Sequence, residues 1–371
     1  MKKSLARSMA AGAYHNLIVK DCGAVLSWGC GVFSSTGKSN DGCIPALGLS
    51  SNNNNDINKN AEEVIVPTLI PNNVRAIAAA AGGYHSVLLE KSTGRVLTFG
   101  AAALGQLGRG VSGSVTDSAN LPVDPIPAPV ELPVASSSLS STSTVAVGMD
   151  VTSIGAGFYN TLITTHNGHL YCSGENQYQQ CGSGPMNIHA PMQRVTELDH
   201  VHVVQADGGY CHTLARTIEG QVYSLGCSED GARGVVIVDN SSNHLPIATK
   251  IHIPNDNTPI VEIAAGLNHS LARDTDGNVF SWGSNEYGQL GIPVDTIEPK
   301  PVLVPSLPCK AIGISAGSSH SAILGENWIV YTFGNSSNGQ LGTGSDEGWD
   351  VRTDNNNPNA PGVWDISRAK N

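Results

Sequence analysis

Six times along this chain a short apolar run ends in glycine. The copies are Val25-Leu26-Ser27-Trp28-Gly29, Val96-Leu97-Thr98-Phe99-Gly100, Leu170-Tyr171-Cys172-Ser173-Gly174, Val222-Tyr223-Ser224-Leu225-Gly226, Val279-Phe280-Ser281-Trp282-Gly283 and Val330-Tyr331-Thr332-Phe333-Gly334. The second residue is always large and apolar, and the third is always small. No helical period fits, because each apolar stretch breaks within about five residues at Gly, Asp or Asn. In the fifth copy Asp276-Gly277 separates two apolar runs. A tight hairpin needs positive φ at such a pair, and Asp-Gly tolerates it. The repeating unit is therefore a small antiparallel β module, and its repetition decides the fold.

Other columns recur in phase. Upstream stand Gly12-Ala13-Tyr14-His15-Asn16, Gly82-Gly83-Tyr84-His85-Ser86, Gly157-Phe158-Tyr159-Asn160-Thr161, Gly209-Tyr210-Cys211-His212-Thr213, Gly266-Leu267-Asn268-His269-Ser270 and Gly317-Ser318-Ser319-His320-Ser321. Five of the six carry the histidine. Downstream, Gly105-Gln106-Leu107-Gly108, Gly288-Gln289-Leu290-Gly291 and Gly339-Gln340-Leu341-Gly342 match fully, while Gln179 to Gly182 and Gly231 to Gly234 are degraded copies. A fourth apolar segment closes each unit, as in Pro67-Thr68-Leu69-Ile70 and Pro301-Val302-Leu303-Val304. Four short strands per unit in tandem predict an all-β fold, a β-propeller of four-stranded blades. The chain reads as one propeller domain with repeats at about 5–70, 74–134, 145–198, 201–254, 260–306 and 310–366. The Ser/Asn-rich stretch Ser50 to Asn55 and the Ser/Thr-rich stretch Ser136 to Thr144 are expected to be exposed loops. The final Val363-Trp364 segment is expected to seal the ring beside the N-terminal repeat, leaving few free edges.

These columns resemble the regulator of chromosome condensation family of β-propellers, whose pattern is Ala-Gly-x-x-His-Ser, a hairpin, an aromatic-Gly strand and Gly-Gln-Leu-Gly. The resemblance covers about Leu5 to Ile366. It implies a partner-binding face on the two residues between Gly and His. The best-known members have seven blades; six units are present here. Members that act on the GTPase Ran place acidic and His side chains at that face, and the related plant ultraviolet-B photoreceptor places Trp and Arg there. The pairs in this chain contain neither an acid nor a Trp. Four consecutive units offer tyrosine, an amphipathic ring favoured at binding hot spots. The candidate face is Tyr14, Tyr84, Phe158, Tyr159, Tyr210, Asn268 and Ser319. The competing reading is that these rings pack against neighbouring blades.

Charge narrows the partners. With 20 Lys plus Arg against 31 Asp plus Glu, the net charge of -11 supplies no overall counterion-release drive toward nucleic acid. No apolar run approaches the roughly 20 residues needed to cross a bilayer. The basic start, MKKSLARSMAA, runs directly into the first repeat and is read as part of the fold rather than a targeting peptide. The eight Cys include no C-x-x-C pair, which argues against a zinc site of the common spacing. Four lie in or beside predicted strands, so buried free thiols in a reducing compartment, cytoplasmic or nuclear, are expected.

Three chemistries fail on pattern. The repeated His-Ser pairs are not a hydrolytic dyad, since a nucleophile and base act as one positioned pair rather than as a motif copied round a ring. They are expected to bond backbone groups between strands. Gly31 to Ser39 has one residue too many for a phosphate-binding loop, and no helix follows it. His200 and His202, read as two imidazoles on one strand face, and His166 and His169 lack the further ligands of a metal site. The sequence therefore predicts a monomeric, non-enzymatic protein-interaction scaffold, with no cofactor, no metal and no catalytic residue. A guanine nucleotide exchange factor for a Ran-like small GTPase is the alternative, carried by the resemblance alone.

Overall fold

The structure is a computed structural model, and it describes residues 6–29, 64–71, 73–110, 115–116, 122–133, 151–184, 188–228, 230–236, 247–254, 258–293, 297–305, 307–337, 339–342 and 362–365. The stretches 50–55, 136–144 and 31–39 singled out above lie outside these residues. The fold is a β-propeller of six blades. Blade 1 is Ala6–Ala11, His15–Lys20, Val25–Gly29 and Val64–Leu69. Blade 2 is Ala76–Ala81, His85–Glu90, Val96–Ala101 and Pro122–Pro129, with the short Val115–Thr116 added at its edge. Blade 3 is Val151–Ala156, Asn160–Thr165, Leu170–Glu175 and Ile188–Arg194. Blade 4 is Val203–Gly208, His212–Thr217, Val222–Gly226 and Thr249–Lys250. Blade 5 is Ile260–Ala265, His269–Asp274, Val279–Ser284 and Ile297–Leu303, and blade 6 is Ala311–Ala316, His320–Gly325, Ile329–Gly334 and Gly362–Asp365. The chain divides into two compact units, residues 1–177 with 181–204, and residues 178–180 with 205–371.

Every blade is contiguous in sequence, which corrects one expectation. Gly362–Asp365 does not seal the first repeat. It pairs antiparallel with Ile329–Gly334, setting Val330 opposite Trp364 and Tyr331 opposite Val363. Blade 1 has its own first strand, Ala6–Ala11, paired with His15–Lys20. That strand reads ARSMAA, with no aromatic or β-branched residue to announce it.

The apolar columns become layers between consecutive blades. In the first unit Leu17, Val19, Val25, Leu88 and Phe99 form one layer, and Val87, Val96, Ile163, Tyr171 and Met192 the next. In the second unit Leu214, Val222, Ile263, Phe280 and Trp282 form one layer, and Val279, Ile323, Tyr331 and Phe333 another. Trp282 is fully buried, and its indole N–H donates to Ala232 O at 2.9 Å. Burying an aromatic of this size removes roughly 150–250 Å² from water, worth about 4–6 kcal/mol at 25 cal/mol per Å².

In blades 2, 5 and 6 the small third position of the glycine-ending strand has a specific use. Thr98 Oγ1 donates to Leu107 O at 2.7 Å, Ser281 Oγ to Leu290 O at 2.7 Å, and Thr332 Oγ1 to Leu341 O at 2.9 Å. Each bond ties the strand to the Gly-Gln-Leu-Gly turn that follows. In blade 3 the same two places are Cys172 and Cys181, and they are joined by a disulfide. A second disulfide links Cys211 to Cys227. The expectation of free buried thiols is thus wrong for four of the cysteines, and the inference to a reducing compartment loses its ground. The turn brings Cys172 and Cys181 to 5.3 Å between Cα atoms, within bridging distance. Cys22 and Cys309 are free.

The degraded turn copies keep the turn. Gly105, Gly231, Gly288 and Gly339 all have φ between 71° and 74°. Gln179 occupies the same place in blade 3 at φ 61°. A side chain there is strained by about 1–2 kcal/mol, part of which glycine gives back as chain entropy. Gln179→Gly is expected to raise stability by about 0.5–1 kcal/mol, measured by denaturant midpoint at unchanged slope.

Candidate functional site

The glycine of each Gly-x-x-His column follows the first strand of its blade, and the histidine opens the second. Space dictates the glycine. A Cβ on Gly82 would lie 2.3 Å from His85 Cε1 and 2.5 Å from Gly157 O. The histidine ring fills the place a side chain would need, and its Nε2 reaches the following blade. His15 Nε2 lies 2.7 Å from Ser86 Oγ, and His85 Nε2 lies 2.9 Å from Thr161 Oγ1. In the second unit His212 Nε2 is 3.0 Å from Ser270 Oγ, and His269 Nε2 is 2.9 Å from Ser321 Oγ.

The hydroxyls settle the tautomer. Thr161, Ser270 and Ser321 each have one proton, which they donate to Gln106 O, Ala232 O and Gln289 O at 2.6, 2.8 and 2.7 Å. They must therefore accept from histidine, so Nε2 carries the ring proton. Burial drives His15 and His212 down to about 4 and His85 and His269 down to about 3, and all four rings are neutral at pH 7. A general base would take the hydroxyl proton; here histidine donates to the hydroxyl. The expected bonds to backbone groups are corrected: these histidines clasp the next blade's hydroxyl. A ring nitrogen aimed along the blade-to-blade direction reaches a side chain, because the strand backbones are already paired within their own sheets.

The two residues between Gly and His commit their backbones. Gly83 N–H donates to Phe158 O at 3.0 Å in the first unit. In the second, Tyr210 N–H donates to Leu267 O at 2.9 Å and Leu267 N–H to Ser318 O at 3.2 Å. The carbonyl of the second residue accepts from the residue after the strand-ending glycine. Tyr84 O takes Ala101 N–H, Tyr159 O takes Glu175 N–H, Asn268 O takes Ser284 N–H and Ser319 O takes Asn335 N–H, at 2.8–3.1 Å. The loops are held from both sides, which makes them a rigid base for what their side chains present.

In the first unit those side chains are aromatic and touch. Tyr14 stacks on Tyr84 with centroids 5.3 Å apart and planes at 22°. Tyr84 lies 6.0 Å from Tyr159 in a stacked arrangement and meets Phe158 edge-on at 5.3 Å. Phe158 and Tyr159 meet edge-on at 4.7 Å. Tyr84 is the buried centre at 7% exposure, Phe158 and Tyr159 are half-buried, and Tyr14 is the open rim at 49%. Gly83 makes room: a Cβ there would come within 3.0 Å of Phe158 Cγ.

The remaining sequence candidates lie in the second unit. Tyr210 is 38% exposed and holds the first of the two loop positions, as Phe158 does. Cys211 takes the position of Tyr84 and Tyr159, and its disulfide to Cys227 spans the same pair of residues as the Cys227 N–H to Cys211 O bond. Asn268 and Ser319 are half-buried.

Two acids escape the repeat pattern because neither falls in a recurring column. Glu175 follows the strand-ending Gly174, and its N–H donates to Tyr159 O at 3.1 Å. Its Oε2 is buried with no hydrogen-bond partner, and burial holds its carboxyl above the ordinary range. In the second unit Asp207 accepts from Ala265 N–H at 2.9 Å and Gly208 N–H at 3.1 Å. Burial lifts it to about 7 against those two donors.

The histidines weighed as metal ligands are placed otherwise. His200 and His202 lie in the turn ahead of Val203–Gly208, not on a strand face, which corrects the sequence reading. His169 Nδ1 is 3.0 Å from an Arg194 guanidinium nitrogen, which can only donate to it. Among the described residues no group of three or more His, Cys, Asp or Glu could hold a metal ion.

Comparison with known proteins agrees with the repeat columns. The family model of the regulator of chromosome condensation (RCC1) repeat matches residues 167–216, 219–273 and 276–324, and a second model of that description matches 151–180 and 260–289. The chain is 30% identical over 273 residues to the probable E3 ubiquitin-protein ligase HERC6 of Homo sapiens, covering 72% of this chain but 24% of that protein. It is 26% identical over 342 residues to the ultraviolet-B receptor UVR8 of Arabidopsis thaliana, covering 91% of this chain and 67% of the receptor. Among solved structures, Prp20p of Saccharomyces cerevisiae, described with its binding to Gsp1p and histones, superposes with a TM-score of 0.69 at 21% identity, covering 96% of this chain and 76% of Prp20p.

Proposed function

We propose that this chain, a β-propeller of regulator of chromosome condensation repeats, is a non-enzymatic scaffold that docks a protein partner on the aromatic loops of its first three blades. The carrying observation is the Tyr14–Tyr84–Phe158–Tyr159 cluster. Its rim residue is 49% exposed on loops whose backbones are already fixed by hydrogen bonds. Ordered aromatics on a rigid base cost little further entropy on binding, which is why such residues dominate interfaces. Packing explains Tyr84 and part of Phe158. It does not explain the open face of Tyr14.

Tyr14→Ala is expected to weaken partner binding by about 1–2 kcal/mol, a five- to thirtyfold loss, while changing stability by less than about 0.5 kcal/mol. Tyr84→Ala loses core as well and is the poorer probe. Affinity and melting temperature measured on the same variant decide the matter. A stability loss with unchanged affinity assigns Tyr14 to packing and moves the docking surface elsewhere.

The likeness to Prp20p, described with its binding to Gsp1p, makes a small GTPase the first partner class to try. Exchange activity is the second reading. It is separated from simple docking by whether the chain speeds nucleotide release from a Ran-like GTPase. The absence of an acid from all six loop pairs favours docking without exchange.

A further inference from the structure

We infer that Cys227 is a site of reversible thiol exchange, at which a small thiol such as glutathione opens the Cys211–Cys227 disulfide while the fold and the Cys172–Cys181 disulfide stay intact. The two bridges differ in access. Cys172 and Cys181 are 0% and 1% exposed, and Cys181 Sγ also accepts from Asn160 Nδ2 at 3.3 Å. Cys211 is 8% exposed. Cys227 is half-buried, and of the four bridging cysteines it alone keeps appreciable surface in water. Exchange requires an attacking thiolate to reach a disulfide sulfur, so access selects both the bridge that opens and the sulfur attacked.

The bridges differ as much in structural duty. Cys172 and Cys181 stand where blades 2, 5 and 6 tie strand to turn by a hydroxyl-to-carbonyl bond, and their bridge takes the place of that bond. The Cys211–Cys227 bridge replaces nothing. It duplicates the Cys227 N–H to Cys211 O bond at 2.9 Å, and blades 2, 3, 5 and 6 make the equivalent bond at 2.8–3.1 Å between residues that are not cysteine. Tyr210 N–H to Leu267 O holds the same loop to the following blade. With the bridge open, these bonds keep the two cysteines opposite each other, 5.5 Å apart at Cα, within the range a disulfide spans. The pair can therefore open and reclose without refolding.

The exchange runs in two steps. A thiolate attacks Cys227 Sγ, the S–S bond breaks, and its electron pair leaves on Cys211 Sγ, which takes a proton from water. Cys227 then carries the small thiol as a mixed disulfide. A second thiolate attacks that disulfide at the small thiol's sulfur and releases Cys227, which is protonated in turn. Two small thiols are oxidised to one small disulfide, and the protein disulfide is reduced to two thiols.

The test exposes the full chain to graded reduced glutathione, traps thiols by alkylation and reads each cysteine by mass spectrometry, with melting followed on the same samples. Cys22, exposed and free, is the reference for an open thiol. Cys211–Cys227 is expected to open at a glutathione concentration at least about tenfold below that which opens Cys172–Cys181, with a cooperative melt retained. Transfer to oxidised glutathione should close it again. Cys211→Ser leaves Cys227 without its partner, and Cys227→Ser does the same for Cys211. From oxidised glutathione, the first is expected to take up the adduct at least about tenfold faster than the second. Both bridges opening together, Cys172–Cys181 opening first, or opening only where the melt is lost overturns the inference. So does uptake on Cys211 in preference to Cys227. The wild-type titration decides by itself if either variant fails to fold.

Discussion

Between pH 6.5 and pH 4 this protein is expected to lose much of its stability, because four histidines are held neutral in the fold. His15, His85, His212 and His269 have ordinary values of 6.5 when exposed and are pushed by burial to between about 3 and about 4. In that window the unfolded chain binds protons that the folded chain refuses. Stability therefore falls as pH falls, and is fully present only above pH 6.5. Each histidine contributes about 3 kcal/mol by this route, as an order of magnitude. A typical domain has only about 5–15 kcal/mol in total. Protonation also adds a donor at Nδ1, which is buried without a partner in all four rings.

Asp207 acts in the opposite sense. Its folded carboxyl holds a proton up to about 7, against 3.8 when exposed, so over that range the folded state binds the extra proton. That favours the fold at low pH and costs stability as pH rises toward 7, offsetting roughly one histidine of the four. Melting temperature followed from pH 8 to pH 4 should fall steeply below 6.5. His85→Gln and His269→Gln keep a donor for the hydroxyl and remove the titration, so both should flatten the slope. Asp207→Asn should steepen it and raise stability above pH 7. A melting temperature level down to pH 4.5 would refute the account.

How much of this is legible in the sequence depends on whether a feature recurs. The strand columns, the turn glycines and the Gly-x-x-His geometry recur, and one copy explains another. Tyr14, Tyr84 and Tyr159 are visible as a register, and the structure brings their rings together. Phe158 joins them because Gly83 beside it has no side chain, a pairing across blades that no single column displays. The clasp partner escapes the sequence because a column shows which residues repeat and not which blade they point to. Features occurring once are hidden: the plain alanine-rich strand Ala6–Ala11, Glu175, Asp207 and the two disulfides. Cys172 and Cys181 replace a hydroxyl and a leucine seen in other copies, and only the folded turn reveals that these positions adjoin.

The glycine of the Gly-x-x-His column gives the second large effect. Gly266→Ala is expected to cost about 3–5 kcal/mol and to unseat His269. Its φ is not in the left-handed region, so backbone strain is not the cause. The added Cβ would stand 2.2 Å from His269 Cε1, 2.4 Å from His269 Nδ1 and 2.6 Å from Gly317 O. The carbonyl is backbone of the following blade and cannot yield without moving a strand. The ring can yield only by giving up Ser321 Oγ at 2.9 Å. Overpacking of this kind costs about 1–3 kcal/mol, and a buried imidazole N–H left without its hydroxyl acceptor costs a further ~1–3. Gly288→Ala is the matched comparison. It has φ 74° and nothing within 4 Å of the place its methyl would take, so conformation alone is charged, at about 1–2 kcal/mol. Denaturant unfolding of the two variants separates space from conformation. Equal losses would mean that the histidine clasp yields freely and that the column's glycine is kept for its backbone alone.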